Sequence, residues 1–194
     1  MANQEQKSIC REIGARTGGD IYIGVVGPVR SGKSTFIKRF MEQMVLPYMN
    51  DEHDRERTID EMPQSAAGKT IMTTEPKFIP EQAVPLQLEG GGECRIRLID
   101  CVGYMVEGAA GHMENGAERL VKTPWNEKEI PFTKAAEIGT KKVIHDHSTI
   151  GIVVTTDGSI GELPRNSYRA AEKKTIQELK SIGKPFVVLS LIHI

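Results

Sequence analysis

The sequence predicts an α/β domain of three layers, a mostly parallel sheet covered by helices on both faces. Three observations carry that prediction. The β-branched apolar run Asp20-Ile-Tyr-Ile-Gly-Val-Val26 has the length of a strand buried on both sides, and it passes directly into a glycine-bounded turn and then a helical pattern. A second apolar run, Arg95-Ile-Arg-Leu-Ile-Asp100, ends on a carboxylate at a loop. Later in the chain, apolar residues 148–155, an amphipathic segment over 163–182 and the apolar run Lys184-Pro-Phe-Val-Val-Leu189 repeat the strand–helix–strand alternation that builds parallel sheets.

In chain order, residues 1–19 form a polar lead, and 20–189 hold the single domain that 194 residues can support. From Lys33 to Leu46 the apolar residues Phe36, Ile37, Phe40, Met41 and Met44 recur at helical spacing, and Pro47 stops the pattern. Asn50 to Thr74 is rich in charge, Ser, Gly and Pro and reads as one long mobile loop. Three short extended runs follow, Glu75 to Ile79, Val84 to Leu88 and Glu93 to Asp100, with Gly90-Gly-Gly92 as a turn, and the strand after the long loop is expected to pair antiparallel. Cys101 to Pro131 reads as glycine-containing loop, with Trp125 packing it onto the body. Phe132 to His147 reads as a helix whose His145 and His147 lie at a solvated end. In the helix over 163–182, Ala170, Ala171, Ile176, Leu179 and Ile182 supply the buried face, and its Lys and Arg residues the wet one.

Composition narrows the function. Lys and Arg number 25 against 26 Asp and Glu, a net charge of −1, which offers no broad positive field for a nucleic acid. No apolar run approaches the roughly 20 residues that span a bilayer, and the N-terminus lacks a signal-peptide core, so a cytoplasmic protein is expected. Cys10, Cys94 and Cys101 make neither an even framework nor a CxxC pair and read as reduced thiols.

The chemistry lies in three motifs. Gly27-Pro28-Val29-Arg30-Ser31-Gly32-Lys33-Ser34 fits GxxxxGK[ST] and stands between a strand and a helix start, as phosphate binding requires. The two glycines let the backbone curl so that successive N–H groups and the helix dipole face phosphate oxygens. Lys33 is expected to reach the β- and γ-phosphates and Ser34 to ligate Mg²⁺, while Thr35 either packs the helix or makes a minor phosphate contact. These features predict a magnesium-bound nucleoside triphosphate as the ligand. Asp100-Cys-Val-Gly103 supplies the second motif: Asp100 serves the magnesium, usually through water, and the Gly103 N–H senses the γ-phosphate. The third is Thr70-Ile-Met-Thr73-Thr74-Glu-Pro-Lys77, where Thr73 or Thr74 is placed to close over Mg²⁺ when the γ-phosphate is present. Many GTPases carry a water-orienting glutamine directly after DxxG; here Tyr104 stands there, so slow hydrolysis is expected, or a water placed by backbone groups, Glu107 or a partner subunit.

The P-loop, the segment Gly68-Lys-Thr-Ile-Met-Thr-Thr-Glu-Pro-Lys-Phe, the run Leu98-Ile-Asp-Cys-Val-Gly-Tyr, the lead Ile13-Gly-Ala-Arg-Thr-Gly-Gly-Asp-Ile-Tyr and Thr155-Thr-Asp-Gly-Ser-Ile together resemble the N-terminal ATPase domain of the stage IV sporulation protein A family. The resemblance implies a translation-factor-class GTPase-like domain that came to use ATP, with Lys33 on phosphate, Asp100 serving magnesium and Thr73 and Thr74 as sensor threonines. It also implies hydrolysis that drives self-polymerisation into the basement layer of the spore coat, in the mother cell at the forespore outer membrane. The partners so implied are further copies of the chain, a short amphipathic membrane-bound sporulation protein and other coat proteins, reached through regions beyond this chain. Residues 190–194 are expected to be a non-native tail, because Leu189-Ser-Leu-Ile-His-Ile194 also reads as a translated sequencing adapter. A generic GTPase of ribosome or tRNA maturation, and a nucleotide-binding scaffold without turnover, are the other readings.

Overall fold

The computed structural model describes residues 19–63, 74–87, 93–114, 116–159 and 163–191. Strand β1 (Asp20–Val26) runs through the middle of a five-stranded sheet. It is flanked on one side by β3 (Glu93–Asp100) and on the other by β8 (Ile150–Thr156), both parallel to it. Strand β9 (Phe186–Leu191) adds in parallel beyond β8. Strand β2 (Lys77–Gln87) closes the opposite edge and runs antiparallel to β3, the orientation the sequence predicts. Registry sets Val25 beside Asp100, so the carboxyl ends of β1 and β3 open onto the same crevice, which is where α/β sheets place ligands.

Alternation along β1 sorts its side chains into two cores. Ile21, Ile23 and Val25 face one side, where they meet Ile37 and Met41 of helix α1 (Lys33–Phe40) and its continuation through a π-type turn, Met41–Val45. Val26 faces the other, with Ile99, Val153, Val143 and Ile144, and with Tyr168, Ala171 and Leu179 of helix α4 (Arg165–Ser181). Helix α3 (Phe132–Lys142) runs on through the π-type turn Val143–His147, so the predicted helix over 132–147 is continuous to its last residue.

Several expectations need correction. The stretch read as loop after Asn50 begins with helix α2 (Glu52–Glu61). The Asp51 carboxylate accepts the Asp54 N–H at 2.8 Å as an N-cap, and Arg57 pairs with Asp54 at 2.9 Å and Glu61 at 3.8 Å. A helix held by a cap and ion pairs, with Thr58 buried and Met62 just beyond its end, shows no apolar period to read. The runs 75–79 and 84–88 are parts of one strand, β2, interrupted by a register shift between Ile79 and Val84. The Gly90-Gly-Gly92 turn and residues 64–73 lie outside the described residues.

The loop assigned to 101–131 contains two hairpins, β4 (Met113–Glu114) with β5 (Ala117–Glu118) and β6 (Leu120–Thr123) with β7 (Asn126–Pro131). Trp125 lies in the second turn with the Lys142 ammonium 5.7 Å from its ring centroid, tying the hairpin to α3. His147 stacks edge-on to Phe78 instead of standing in solvent. Helix α4 is rotated from the predicted face: Tyr168, Ala171, Thr175 and Leu179 are buried, whereas Ala170 and Ile182 are exposed. Strand β9, expected to be buried, leaves Val187 60 % and Val188 51 % exposed, because it is the outermost strand of the sheet.

Candidate nucleotide-binding site

Strand β1 delivers the chain to Gly27, whose φ of 137° only glycine takes readily. The loop then turns through Arg30 (φ 59°) and Gly32 (φ 91°), the residue that caps α1. Val29 is packed in the core and Pro28 is buried, so these two contribute through the backbone alone. The Arg30 side chain reaches outward, with Nη2 3.5 Å from the Ala110 carbonyl oxygen. Ser31 is buried, and its hydroxyl makes no hydrogen bond.

Lys33 turns back beneath the loop, and its ammonium donates to the Pro28 carbonyl at 2.5 Å. Burial pushes its pKa below the ordinary lysine value, against the opposing pull of Cys101 and Asp100. The Ser34 hydroxyl donates to Asp100 Oδ2 at 2.7 Å, so the P-loop serine and the strand-end carboxylate predicted to share a metal are in direct contact. The other oxygen, Asp100 Oδ1, is buried without a hydrogen-bond partner. Burial raises the Asp100 pKa, with the Ser34 hydrogen bond and Lys33 opposing. A buried carboxylate oxygen left without a donor is costly. A hard cation at Ser34 and Asp100 would satisfy it, so the residues present fit Mg²⁺.

Gly103 sits against this cradle. A Cβ there would stand 2.2 Å from the Gly27 carbonyl oxygen and 2.7 Å from Lys33 Nζ. The following residue, Tyr104, donates its N–H to the Gly27 carbonyl (3.1 Å) and accepts the Val29 N–H (2.8 Å), so the DxxG loop and the P-loop pair as a short parallel bridge. Thr74 is buried, its carbonyl oxygen 2.7 Å from where a Cβ on Gly139 of α3 would stand, which places it against that helix. Thr73 lies outside the described residues. Thr35 is exposed on α1, which removes the helix-packing role for it.

The structure thus brings together Gly27 to Ser34, Asp100 and Gly103. Tyr104 is another matter. Its ring is buried and its hydroxyl donates to Glu178 of α4, so the phenol points into the helical layer. Glu178 and Lys174 are the residues the sequence reading missed, Lys174 being counted there with the wet face of its helix; nothing local in the sequence marks the contact between Tyr104 and Glu178, 74 residues apart.

A glycine-bounded loop between a parallel strand and a helix, closed by a serine and an aspartate from neighbouring elements, defines a P-loop nucleotide-binding domain. Residues 4–192 match the family model "Stage IV sporulation protein A, ATPase domain". The chain belongs to that family, and it is an ATPase domain. It is 59 % identical over 185 residues to stage IV sporulation protein A of Bacillus anthracis, covering 95 % of this chain and 38 % of that protein. It is 58 % identical over 185 residues to the protein of that name from Bacillus subtilis (strain 168), with the same coverage, and 58 % identical over 182 residues to that of Clostridioides difficile (strain 630), covering 94 % and 37 %. The chain therefore spans well under half the length of these relatives. Among the described residues no helix is long and apolar enough to cross a membrane.

Proposed function

We propose that the domain at 20–189 binds ATP with Mg²⁺ and hydrolyses it slowly, and that in the whole protein this turnover drives self-polymerisation into the basement layer of the spore coat. The observation that carries the reading is the Ser34–Asp100 pair with its unsatisfied Oδ1 beside Lys33. In this scheme Ser34 and Asp100 hold Mg²⁺, which supplies charge neutralisation on the phosphates when bound. The backbone from Gly27 to Ser34, with Thr35 at its edge, holds the phosphates, and Lys33 leaves the Pro28 carbonyl to meet them. The Gly103 N–H senses the γ-phosphate, and Thr73 and Thr74 close over the site. The names of the relatives support a role in sporulation. The remaining expectations follow from that role: further copies of the chain, a short amphipathic membrane-bound sporulation protein and other coat proteins as partners, and a place in the mother-cell cytoplasm at the forespore surface. Because the phenol of Tyr104 is engaged by Glu178, water activation falls to other groups, which favours slow turnover.

Steady-state hydrolysis of ATP and GTP by the full-length protein, beside a Lys33→Ala control, tests this. ATP turnover well above GTP turnover and lost in the control is expected. A GTP preference would move the protein to the ordinary GTPases, and no turnover with either nucleotide would leave a binding scaffold.

A further inference from the structure

The residue after DxxG carries its side chain from the nucleotide loops into the helical layer. Its backbone is paired on both sides with the P-loop, to Gly27 and to Val29. Its side chain is only 3 % exposed, although it carries a hydroxyl. That hydroxyl donates to Glu178, and the ring lies under the Lys174 ammonium, 4.4 Å from the centroid. Lys174 in turn pairs with Glu137 of α3 at 2.7 Å, and Glu137 with Lys141 at 3.0 Å. His145 Nε2 lies 4.0 Å from the same Glu178 carboxylate. The phenol is therefore held by two residues of α4, which are themselves tied to Glu137 of α3 and to His145 just beyond it, while its own peptide unit holds the first turn of the P-loop. Burial and the Glu178 carboxylate both push the phenol above the ordinary tyrosine range, which keeps it a neutral donor to that carboxylate.

We infer that Tyr104 is a positioning residue: its hydrogen bond to Glu178 fixes the DxxG loop, and with it Gly27 to Val29, against helix α4 in the geometry hydrolysis needs. A loop carrying the γ-phosphate contact must keep the Gly103 N–H on target, and displacement of about 1 Å in such a group costs on the order of 100-fold in rate. In enzymes with glutamine at this position the side chain is turned toward water; here it is spent on anchoring. This inference rests on the proposed ATP hydrolysis for its rate readout, though not for its structural one.

The test uses full-length protein carrying Tyr104→Phe, Glu178→Ala and both together. Tyr104→Phe keeps the ring under Lys174 and removes only the hydroxyl. Each single variant is expected to lose about tenfold in kcat, the worth of a hydrogen bond to a charged group, with the KM for ATP within about twofold and the Tm lowered by about 3–6 °C. The double variant is expected to be no slower than the worse single one. Amide hydrogen exchange at Val29 and Tyr104, the two donors of the bridge, is expected to rise about tenfold in both singles. Wild-type kcat in either single, or losses that multiply in the double, would overturn the inference. If the wild-type protein hydrolyses nothing, the proposed function fails by itself, and exchange decides the anchor: faster exchange at Val29 and Tyr104 supports it and unchanged exchange refutes it.

Discussion

Replacing Gly103 by alanine tests the packing of the DxxG loop against the P-loop, and the magnitude can be worked from distances. Gly103 has φ 93°, a conformation that costs a residue with a Cβ about 1–3 kcal/mol. The added methyl would stand 2.2 Å from the Gly27 carbonyl oxygen and 2.7 Å from Lys33 Nζ. Lys33 can swing aside, but Gly27 cannot retreat: a Cβ on Gly27 would itself lie 2.4 Å from the Val154 carbonyl oxygen, so its backbone is already against β8. Overpacking of this kind adds about 1–3 kcal/mol, for a total of about 2–6 kcal/mol. Gly183→Ala is the control. Gly183 also has positive φ, 63°, but a Cβ there meets nothing within 4 Å. It ends α4 in a Schellman arrangement, with Gly183 N–H on Lys180 and Lys184 N–H on Leu179, both at 3.1 Å. Its cost should be about 1 kcal/mol. At roughly 2–4 °C per kcal/mol for a domain of this size, thermal melts followed by circular dichroism should fall by about 4–24 °C for Gly103→Ala and about 2–4 °C for Gly183→Ala. ATP affinity should weaken only in the first. Two variants melting within about 2 °C of each other would refute the packing argument.

The other predictions concern charge and capping. Asp100→Asn should abolish turnover, by on the order of 100-fold or more. It should leave the Tm of the nucleotide-free protein equal or higher, since burial disfavours the carboxylate that Asn replaces; a large fall in Tm would contradict that. Burial pushes the Cys101 thiol from the ordinary 9.0 up to about 11. A raised folded pKa means that the neutral thiol favours the fold below pH 9, and that this contribution, on the order of 2 kcal/mol, is lost as pH rises through about 11. Urea titrations at pH 8 and pH 10.5 should therefore show a larger loss in the wild type than in Cys101→Ala. Lys184 donates to the carbonyl oxygens of Ile144 and of Ser148 (2.5 Å) at the end of the turn after α3. Lys184→Met leaves those carbonyls without their donor and should cost about 1–3 kcal/mol in chemical denaturation; a cost near zero would show that water replaces it.

What the sequence made legible was local. The strand before the P-loop begins and ends where its apolar run does, and the helix from Phe132 runs through its π-type turn to His147 as its spacing indicates. Helix α2 was hidden because its stability comes from the Asp51 cap and from Arg57 between two carboxylates, which leave no apolar stripe. The hairpins over 113–131 were hidden because strands with exposed faces, such as β7 with Glu127, Lys128 and Glu129 outward, carry few apolar residues to alternate. The rotation of α4 has a similar cause. Its inward face is built of Tyr168, Ala171, Glu172, Thr175 and Leu179, and Glu172 is buried with Thr155 and Arg165 as partners. A carboxylate inside the apolar stripe shifts the period that hydrophobicity alone would draw.

The site itself was legible as far as its motif residues, and the glycines show where such reading stops. From the sequence, Gly27 serves phosphate by letting the backbone curl. In the fold it has a second duty, for its Cα lies against the Val154 carbonyl of β8 while its own carbonyl lies against Gly103. Three backbones, from the ends of β8, β1 and β3, meet there with no room for a side chain at either glycine. That stack gives a reason for glycine at 27 and 103 independent of any nucleotide. It also makes the P-loop and the DxxG loop one mechanical unit: Gly103 cannot shift without pressing on Gly27, and Tyr104 extends the unit to Glu178. A residue that reads as a missing catalytic glutamine in the sequence is, in three dimensions, the outer end of that unit.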